Sequence, residues 1–412
     1  MFGQHRKLIQ NIFSLSVLQF LNMAIPLITL PYLMRVVGMA GYGSYSIAYS
    51  LIQYIMLISA YGFGFSTTRA ISINRDNKDK VSGIFCSTMA ARAILSILST
   101  IAIAIIIMLL YNRNDIWLMV LLGMGIVIGD ILNPIWLYQG MEEMKYMTLV
   151  NFVCKFLSTL LIFIFIKEEG DYIYIILFNS IGFITSGILS TYIAVKRFSL
   201  KLGLPRRTEI IQELKDGIHI FLSTIFMNLY RNSNILILGL FLNEYMVGIY
   251  AGAEKITKTA QSVANPISTA LYPNMSSFIS RNSVSTGKEK LKKIFFMMSL
   301  VLVAISLSIF AAAPLINRIL LDNTEILSTN LIRCMVPVIL LGGLNYILGI
   351  VGLTNMGYKE YFLKAVVISG LASLVIVFGT VNEIGCYSAA AAMCVSEIIL
   401  FVLCSYKLYR IR

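Results

Sequence analysis

Apolar runs long enough to cross a membrane dominate this chain. A helix needs about 20 mostly apolar residues to span the hydrocarbon core. Such runs lie near residues 8–33, 42–66, 82–110, 116–139, 147–166 and 172–195, then near 213–241, 246–272, 293–313, 328–350, 361–380 and 386–406. The pattern predicts an all-α polytopic membrane protein of about twelve transmembrane helices. The first run follows Arg6 and Lys7, as a signal peptide would. It is too long for a signal-peptide core and no small-residue cleavage pattern follows, so it reads as a retained helix. The longest polar stretch, residues 196–215, divides the chain into two six-helix lobes, 1–200 and 201–412. An even number of spans starts both halves on the same side, so any repeat is parallel, about an axis along the membrane normal. Gly43, Tyr45 and Ala48 follow a G-x-Y-x-x-A pattern at the start of the second run. Gly248, Tyr250 and Ala253 repeat it at the start of the eighth.

Composition supports the membrane reading. The chain of 412 residues is 58% hydrophobic and 13% charged, whereas soluble domains are about a quarter charged. The net charge of +13 would suggest nucleic acid in a soluble protein. Here its distribution gives another cause. With the N-terminus cytoplasmic, 23 Lys and Arg fall in cytoplasmic segments, against four on the opposite side: Arg35, Arg113, Lys167 and Arg318. That asymmetry is the positive-inside signal. It places both termini in the cytoplasm of a multi-pass membrane protein and leaves no basic surface for nucleic acid.

Little in the chain is suited to catalysis. The six Cys stand singly, and His5 and His219 are isolated. No clustered metal-ligand spacing results, and no Gly-rich phosphate loop of the nucleotide-binding type occurs. The exterior loops are too short to hold an acid/base or nucleophile constellation. The expectation is a protein that is not an enzyme, with no cofactor, metal or catalytic residue.

Nine ionisable residues fall inside the apolar runs away from their ends: Arg92, Lys155, Arg231, Lys255, Lys258, Arg333, Asp130, Glu254 and Glu397. Each costs about 2.5–3.5 kcal/mol at mid-helix on insertion scales, so such groups face a bundle interior or a wet cavity. Lys255, Lys258, Ser262, Asn265 and Thr269 share one face of the eighth run. Thr224, Asn228 and Arg231 share a face of the seventh; Asn11, Ser14, Asn22, Pro26 and Thr29 share one of the first. Polar stripes this long line protein or water. With Arg35 at the outer end of the first run, the candidate lumen residues are Arg231, Lys255, Lys258, Asn228, Asn22, Arg92, Lys155 and Arg35. Six cations against three anions predict a cavity for an anion, and neutral Ser, Thr and Asn beside them suit hydroxyls. A phosphate-bearing, hydroxyl-rich substrate fits both features. Simpler readings stay open: Arg92 and Lys155 can snorkel to the cytoplasmic side, Glu254 can pair with a neighbouring lysine, and Glu397 can be a helix–helix hydrogen bond. Asp130, Glu254 and Glu397 are the candidates for exchange of a proton or sodium.

Three segments resemble a known family. They are LPYLMRVVGMAGYGSYSIA (30–48), NPIWLYQGMEEMKYMTLVNFVCK (133–155) and NILILGLFLNEYMVGIYAGAEKI (234–256). They are similar to Wzx-type O-antigen and polysaccharide repeat-unit flippases of the multidrug/oligosaccharidyl-lipid/polysaccharide exporter superfamily. The resemblance implies two six-helix lobes forming a V around a central cavity that opens alternately to each side. It implies an undecaprenyl-pyrophosphate-linked oligosaccharide as cargo, flipped from the cytoplasmic to the periplasmic leaflet. It also implies a complex with the polysaccharide polymerase and the chain-length regulator. Pro26, Pro31 and the Asn265-Pro266 pair are candidate bending points. The alternatives within the superfamily are a multidrug/cation antiporter, which would want an acidic, aromatic lumen, and a lipid II flippase, which usually carries two further helices.

Overall fold

The computed structural model describes the backbone of residues 2–111, 113–281 and 284–411. The side chains of 2–16, 18–21, 219, 223, 226, 227, 229–231, 266, 269, 270, 273, 274, 277, 280, 281, 284 and 285 lie outside the described set. All regular structure among the described residues is helical. Nine helices among them are long and apolar enough to cross a membrane. Contacts gather the chain into two compact units, Met1–Ile225 and Phe226–Arg412.

The first unit starts with α1 (Phe2–Ala60), which covers the first two apolar runs. Its backbone leaves helical geometry at Gly38, with φ 68° and ψ 177°. That conformation is essentially open to glycine alone, so the break between the two runs falls there. α2 (Phe63–Ile73) and α3 (Lys78–Ile106) follow, and α3 ends in a π-helical turn, Ile107–Tyr111. The fourth run is divided into α4 (Asn114–Leu122), α5 (Met124–Ile131) and α6 (Ile135–Gly140). The breaks fall at Gly123 and at Asn133-Pro134, where proline has no N–H to donate. α7 (Met144–Phe165) and α8 (Tyr172–Phe198) complete the apolar helices of the unit, and α9 (Arg207–Asn232) carries the division between the units.

Polarity inside this bundle is inverted relative to a soluble protein. On α8 the buried residues include Ser180, Gly182, Ser186, Gly187, Ser190 and Ala194, while Ile181, Ile188 and Leu189 are exposed. Lipid is as apolar as leucine, so helices associate through small residues that let backbones approach and through hydrogen bonds. α5 and α8 do both. A Cβ on Gly129 would sit 2.2 Å from the Phe183 carbonyl carbon, and one on Gly187 would sit 2.4 Å from the Gly129 carbonyl oxygen. Ser180 Oγ donates to the Leu122 carbonyl at 2.6 Å.

The second unit contains α10 (Asn234–Phe241), α11 (Glu244–Gln261), α12 (Ala264–Arg281), α13 (Val284–Leu320), α14 (Ile326–Asn345), α15 (Lys359–Ile384) and α16 (Cys386–Arg410). α14 runs directly into a π-helical segment, Tyr346–Thr354. α11, α14 and α16 pack on one another, and α15 packs on α16. The lipid-compatible face repeats: Ile368, Leu371, Val375 and Phe378 of α15 are exposed, while Ser369 and Ser373 are buried. The G-x-Y-x-x-A pattern serves packing in both units, with Gly43 and Ala48 buried in the first, and Gly248, Tyr250 and Ala253 buried in the second.

Candidate functional site

Polar groups in the first unit converge on a cavity of about 190 Å³ in the helical interior. α7 supplies Asn151, Lys155 and Ser158, spaced three and four residues apart and so on one helical face. The loop after α5 supplies Asn133, and α8 supplies Asn179 and Ser186. These groups form a connected set. Asn133 Nδ2 donates to Asn151 Oδ1 at 3.0 Å, and Ser186 Oγ donates to the same oxygen at 2.8 Å. Asn133 Oδ1 is buried with no hydrogen-bond partner. One turn along α7 from Asn151 the half-buried Lys155 donates from Nζ to Asn22 Oδ1 of α1 at 2.8 Å. The cavity therefore offers an ammonium group, several carboxamides and hydroxyls, and an acceptor that lacks a donor.

Asp130 also lines the cavity, but its charge is balanced. Arg92 Nη2 binds Asp130 Oδ2 at 2.5 Å, and Nη1 donates to the Asp130 and Ile131 carbonyls at 2.9 and 3.3 Å. Arg92 is 4% exposed. It neutralises Asp130 and caps the last carbonyls of α5, the favourable end for a cation. Lys155 is thus left as the cation lining the cavity. Arg35 is exposed on α1.

The second unit holds a second polar chain. Lys258 Nζ of α11 lies 3.0 Å from Glu254 Oε1 and donates to Asn232 Oδ1 at 3.2 Å. Asn232 Nδ2 donates to Asn228 Oδ1 at 3.0 Å. The buried Tyr250 hydroxyl donates to Glu254 Oε1 at 3.2 Å and accepts from Asn234 Nδ2 at 3.0 Å. Lys255, next to Glu254 in sequence, is half-buried and forms no ion pair with a described residue. The Arg231 side chain lies outside the described residues, as do those of Pro266 and Thr269. Arg333 Nε reaches the Phe310 carbonyl at 3.4 Å, with its guanidinium over the Phe310 ring.

Glu397 of α16 has different company. It is 5% exposed, and its two carboxylate oxygens accept from carboxamides: Gln261 Nε2 at 3.3 Å and Asn345 Nδ2 at 2.7 Å. Sequence reasoning singled out the charged residues but passed over these amide partners, together with Asn133, Asn151, Asn232 and Asn234. A lone Asn or Gln in an apolar run carries little signal. Asn151, four residues before Lys155, Asn232, four after Asn228, and Gln261, three after Lys258, sit at spacings that could have marked a shared face.

Residues 8–279 match a family described as polysaccharide biosynthesis protein. The chain is 29% identical over 378 residues to a putative O-antigen transporter of Escherichia coli (strain K12), covering 90% of this chain and 89% of that one. It is 24% identical over 400 residues to a putative O-antigen transporter of Shigella dysenteriae, covering 97% of this chain and 100% of that one. Two solved structures share its fold. An inward-facing multidrug resistance MATE family transporter of the MOP superfamily superposes with TM-score 0.70 at 15% identity, covering 94% of this chain and 98% of that one. The lipid II flippase MurJ in an inward closed conformation superposes with TM-score 0.70 at 12% identity, covering 96% of this chain and 87% of that one.

Proposed function

Because this chain belongs to the polysaccharide biosynthesis protein family, we propose that it flips an undecaprenyl-pyrophosphate-linked repeat unit, of O-antigen or a related polysaccharide, from the cytoplasmic to the periplasmic leaflet. The observation that carries the reading is the cavity of the first unit. Among the described residues it is built from carboxamides and hydroxyls around a lining cation, Lys155, while the lining carboxylate Asp130 is neutralised by Arg92.

The physical barrier to unaided flipping is desolvation. Hydroxyls and amides lose several kcal/mol each when moved from water to hydrocarbon without a partner, and a charged pyrophosphate loses far more. The protein replaces water with fixed dipoles and ammonium groups. Lys155 contacts the anionic end through charge-assisted hydrogen bonds, and the Asn133 and Asn151 carboxamides exchange hydrogen bonds with sugar hydroxyls. Asn133 Oδ1, which has no donor of its own, takes one from the cargo. In the second unit Lys255, Lys258 and Arg231, with the neutral Asn228, are the residues that contact the cargo; in the first unit Arg35 and Asn22 of α1 do so. The polyprenyl tail stays in lipid, and the polar residues are exposed alternately to each membrane face. None of these steps makes or breaks a covalent bond, so the role is transport. Polymerase and chain-length regulator are the expected partners, receiving the repeat unit at the outer leaflet.

Complementation tests the reading. The gene is placed in a bacterium that makes a lipid-linked repeat unit but lacks its own O-unit flippase, beside Lys155→Ala, Arg231→Ala and Lys255→Ala versions at matched membrane level. Surface polysaccharide restored by the wild type and lost in the variants is the expected result. No restoration with any of several repeat units, together with raised resistance to cationic dyes, would replace the flippase with a drug antiporter.

A further inference from the structure

A cavity of about 680 Å³ lies where three elements of the second unit meet. α13 and α16 each pack on the π-helical segment Tyr346–Thr354, and the cavity is beside that segment. α13 contributes Lys288, Leu291, Lys292 and Phe295, which share one helical face. α16 contributes Ser405, Leu408 and Tyr409 from its last turns, and the π-helical segment contributes Leu348. Gly352 lets α13 approach the segment closely, since a Cβ there would fall 2.6 Å from Leu291 Cδ2.

The lining runs from charge to hydrocarbon. Lys288 is the fifth residue of α13 and Tyr409 the last but one of α16, so the rim lies at the ends of membrane-spanning helices. Phe295 is seven residues further along α13, about 10 Å deeper. Leu291, Leu348 and Leu408 are buried in the walls, while Phe296 and Leu300 of α13 and Val402 of α16 are exposed on the same helices, as lipid-facing residues are.

Charge at the rim is one-sided. Residues 288–293 hold Lys288, Lys290, Lys292 and Lys293 against Glu289, and the last turn of α16 adds Lys407 and Arg410. Lys290, Lys407 and Arg410 lie over the rings of Phe278, Tyr358 and Tyr406. Lys288 Nζ donates to the Tyr409 and Ile411 carbonyls at 3.3 and 3.0 Å. An ammonium group has three donors, so these neutral acceptors leave Lys288 one donor and its charge. No described residue pairs with the exposed Lys292, one turn along α13. With the exposed Glu289 counted, the lining residues carry a net charge of one positive, the complement of a single phosphodiester.

We propose that this cavity binds an anionic phospholipid, with its phosphodiester on Lys288 and Lys292 and an acyl chain between Leu291, Phe295, Leu348 and Leu408. Basic pockets between helices at a membrane surface suit lipid head groups, and lysine stems lie along apolar surface while their ammonium groups reach outward. A soluble anion would use the lysines and leave the apolar walls in water. A zwitterionic lipid would fill the walls and leave the excess charge unmatched. A pyrophosphate-linked lipid would bring more negative charge than the lining balances. A phospholipid held there ties α13 to α16 across the π-helical segment and so stabilises that end of the second unit. This inference does not depend on the cargo, because the site lies apart from the Lys155 cavity and is tested without any lipid-linked sugar.

The test is native mass spectrometry of the purified full-length protein, titrated with phosphatidylglycerol and, for comparison, with zwitterionic phosphatidylethanolamine. One phosphatidylglycerol is expected to bind about tenfold more tightly than phosphatidylethanolamine and to raise the melting temperature. Lys292→Glu, at an exposed position that folding does not depend on, should weaken phosphatidylglycerol binding about tenfold or more. Ser405→Trp, which fills the cavity without changing its charge, should weaken it as well. Lys80→Glu, at an exposed position of the first unit, should bind as the wild type does. Equal binding of the two lipids would overturn the site, as would equal losses in Lys292→Glu and Lys80→Glu, which would mean diffuse attraction to a basic surface. Tighter binding of undecaprenyl phosphate than of phosphatidylglycerol, lost in Lys292→Glu, would overturn the phospholipid and give the cavity to the carrier lipid.

Discussion

Single residues in the apolar helices divide by what surrounds them. Arg92 and Asp130 form a buried pair whose arginine also caps two carbonyls. Removing one partner strands the other charge, at about 3–5 kcal/mol. Arg92→Ala is therefore expected to lower the melting temperature of the detergent-purified protein steeply, while the paired change Arg92→Leu with Asp130→Leu recovers part of the loss. Lys155 is different: it donates from Nζ to the neutral Asn22 Oδ1 at 2.8 Å. Lys155→Ala should leave the melting temperature near that of the wild type but reduce surface polysaccharide about tenfold or more, the equivalent of one charge-assisted hydrogen bond. Lys155→Arg should retain part of the activity. The sequence made all of these charges visible, because an ionisable residue in an apolar run stands out. It did not show that Arg92 and Asp130 pair, since they are 38 residues apart and meet only when α3 packs beside α5.

Helices follow the apolar runs, but their ends and breaks follow local chemistry. Gly38 interrupts α1 with a positive φ that a side chain would strain. Gly38→Ala should destabilise the protein by about 1–3 kcal/mol, measurable as a lower melting temperature. Gly129 acts through a neighbour rather than through its own backbone, because α8 lies against it. Gly129→Val should be worse than Gly38→Ala and should reduce the amount of folded protein in the membrane, read by fluorescence-detected gel filtration. Sequence periodicity placed Lys255, Lys258 and Ser262 on one helical face; of these Lys255 and Lys258 lie in α11. It missed that the eighth run divides after Gln261, and that the fourth contains three short helices. Hydropathy sums over a window and does not register a single glycine or proline.

For the whole molecule, the asymmetry of Lys and Arg around the spans predicts a topology that can be measured. Green fluorescent protein fused after Lys201 or after Arg410 should fluoresce, and alkaline phosphatase fused after Arg113 or Lys167 should be active. The reverse pattern would invert the proposed direction of transport as well as the orientation. Family membership and the transporter fold agree with the membrane reading taken from composition, and the putative O-antigen transporters match along most of their length.

By itself the sequence determined the solvent of this protein, its helical class and the identities of the charges placed in lipid. Those properties follow from sums over neighbouring residues: apolar length, charge density and helical spacing. The tertiary structure alone decided which charges cancel. It set Arg92 on Asp130 and Lys258 on Glu254, left Lys155 lining a cavity of amides, and surrounded Glu397 with Gln261 and Asn345 in place of a cation. Electrostatic compensation in a membrane acts over a few ångströms between helices distant in sequence, and only packing brings those helices together.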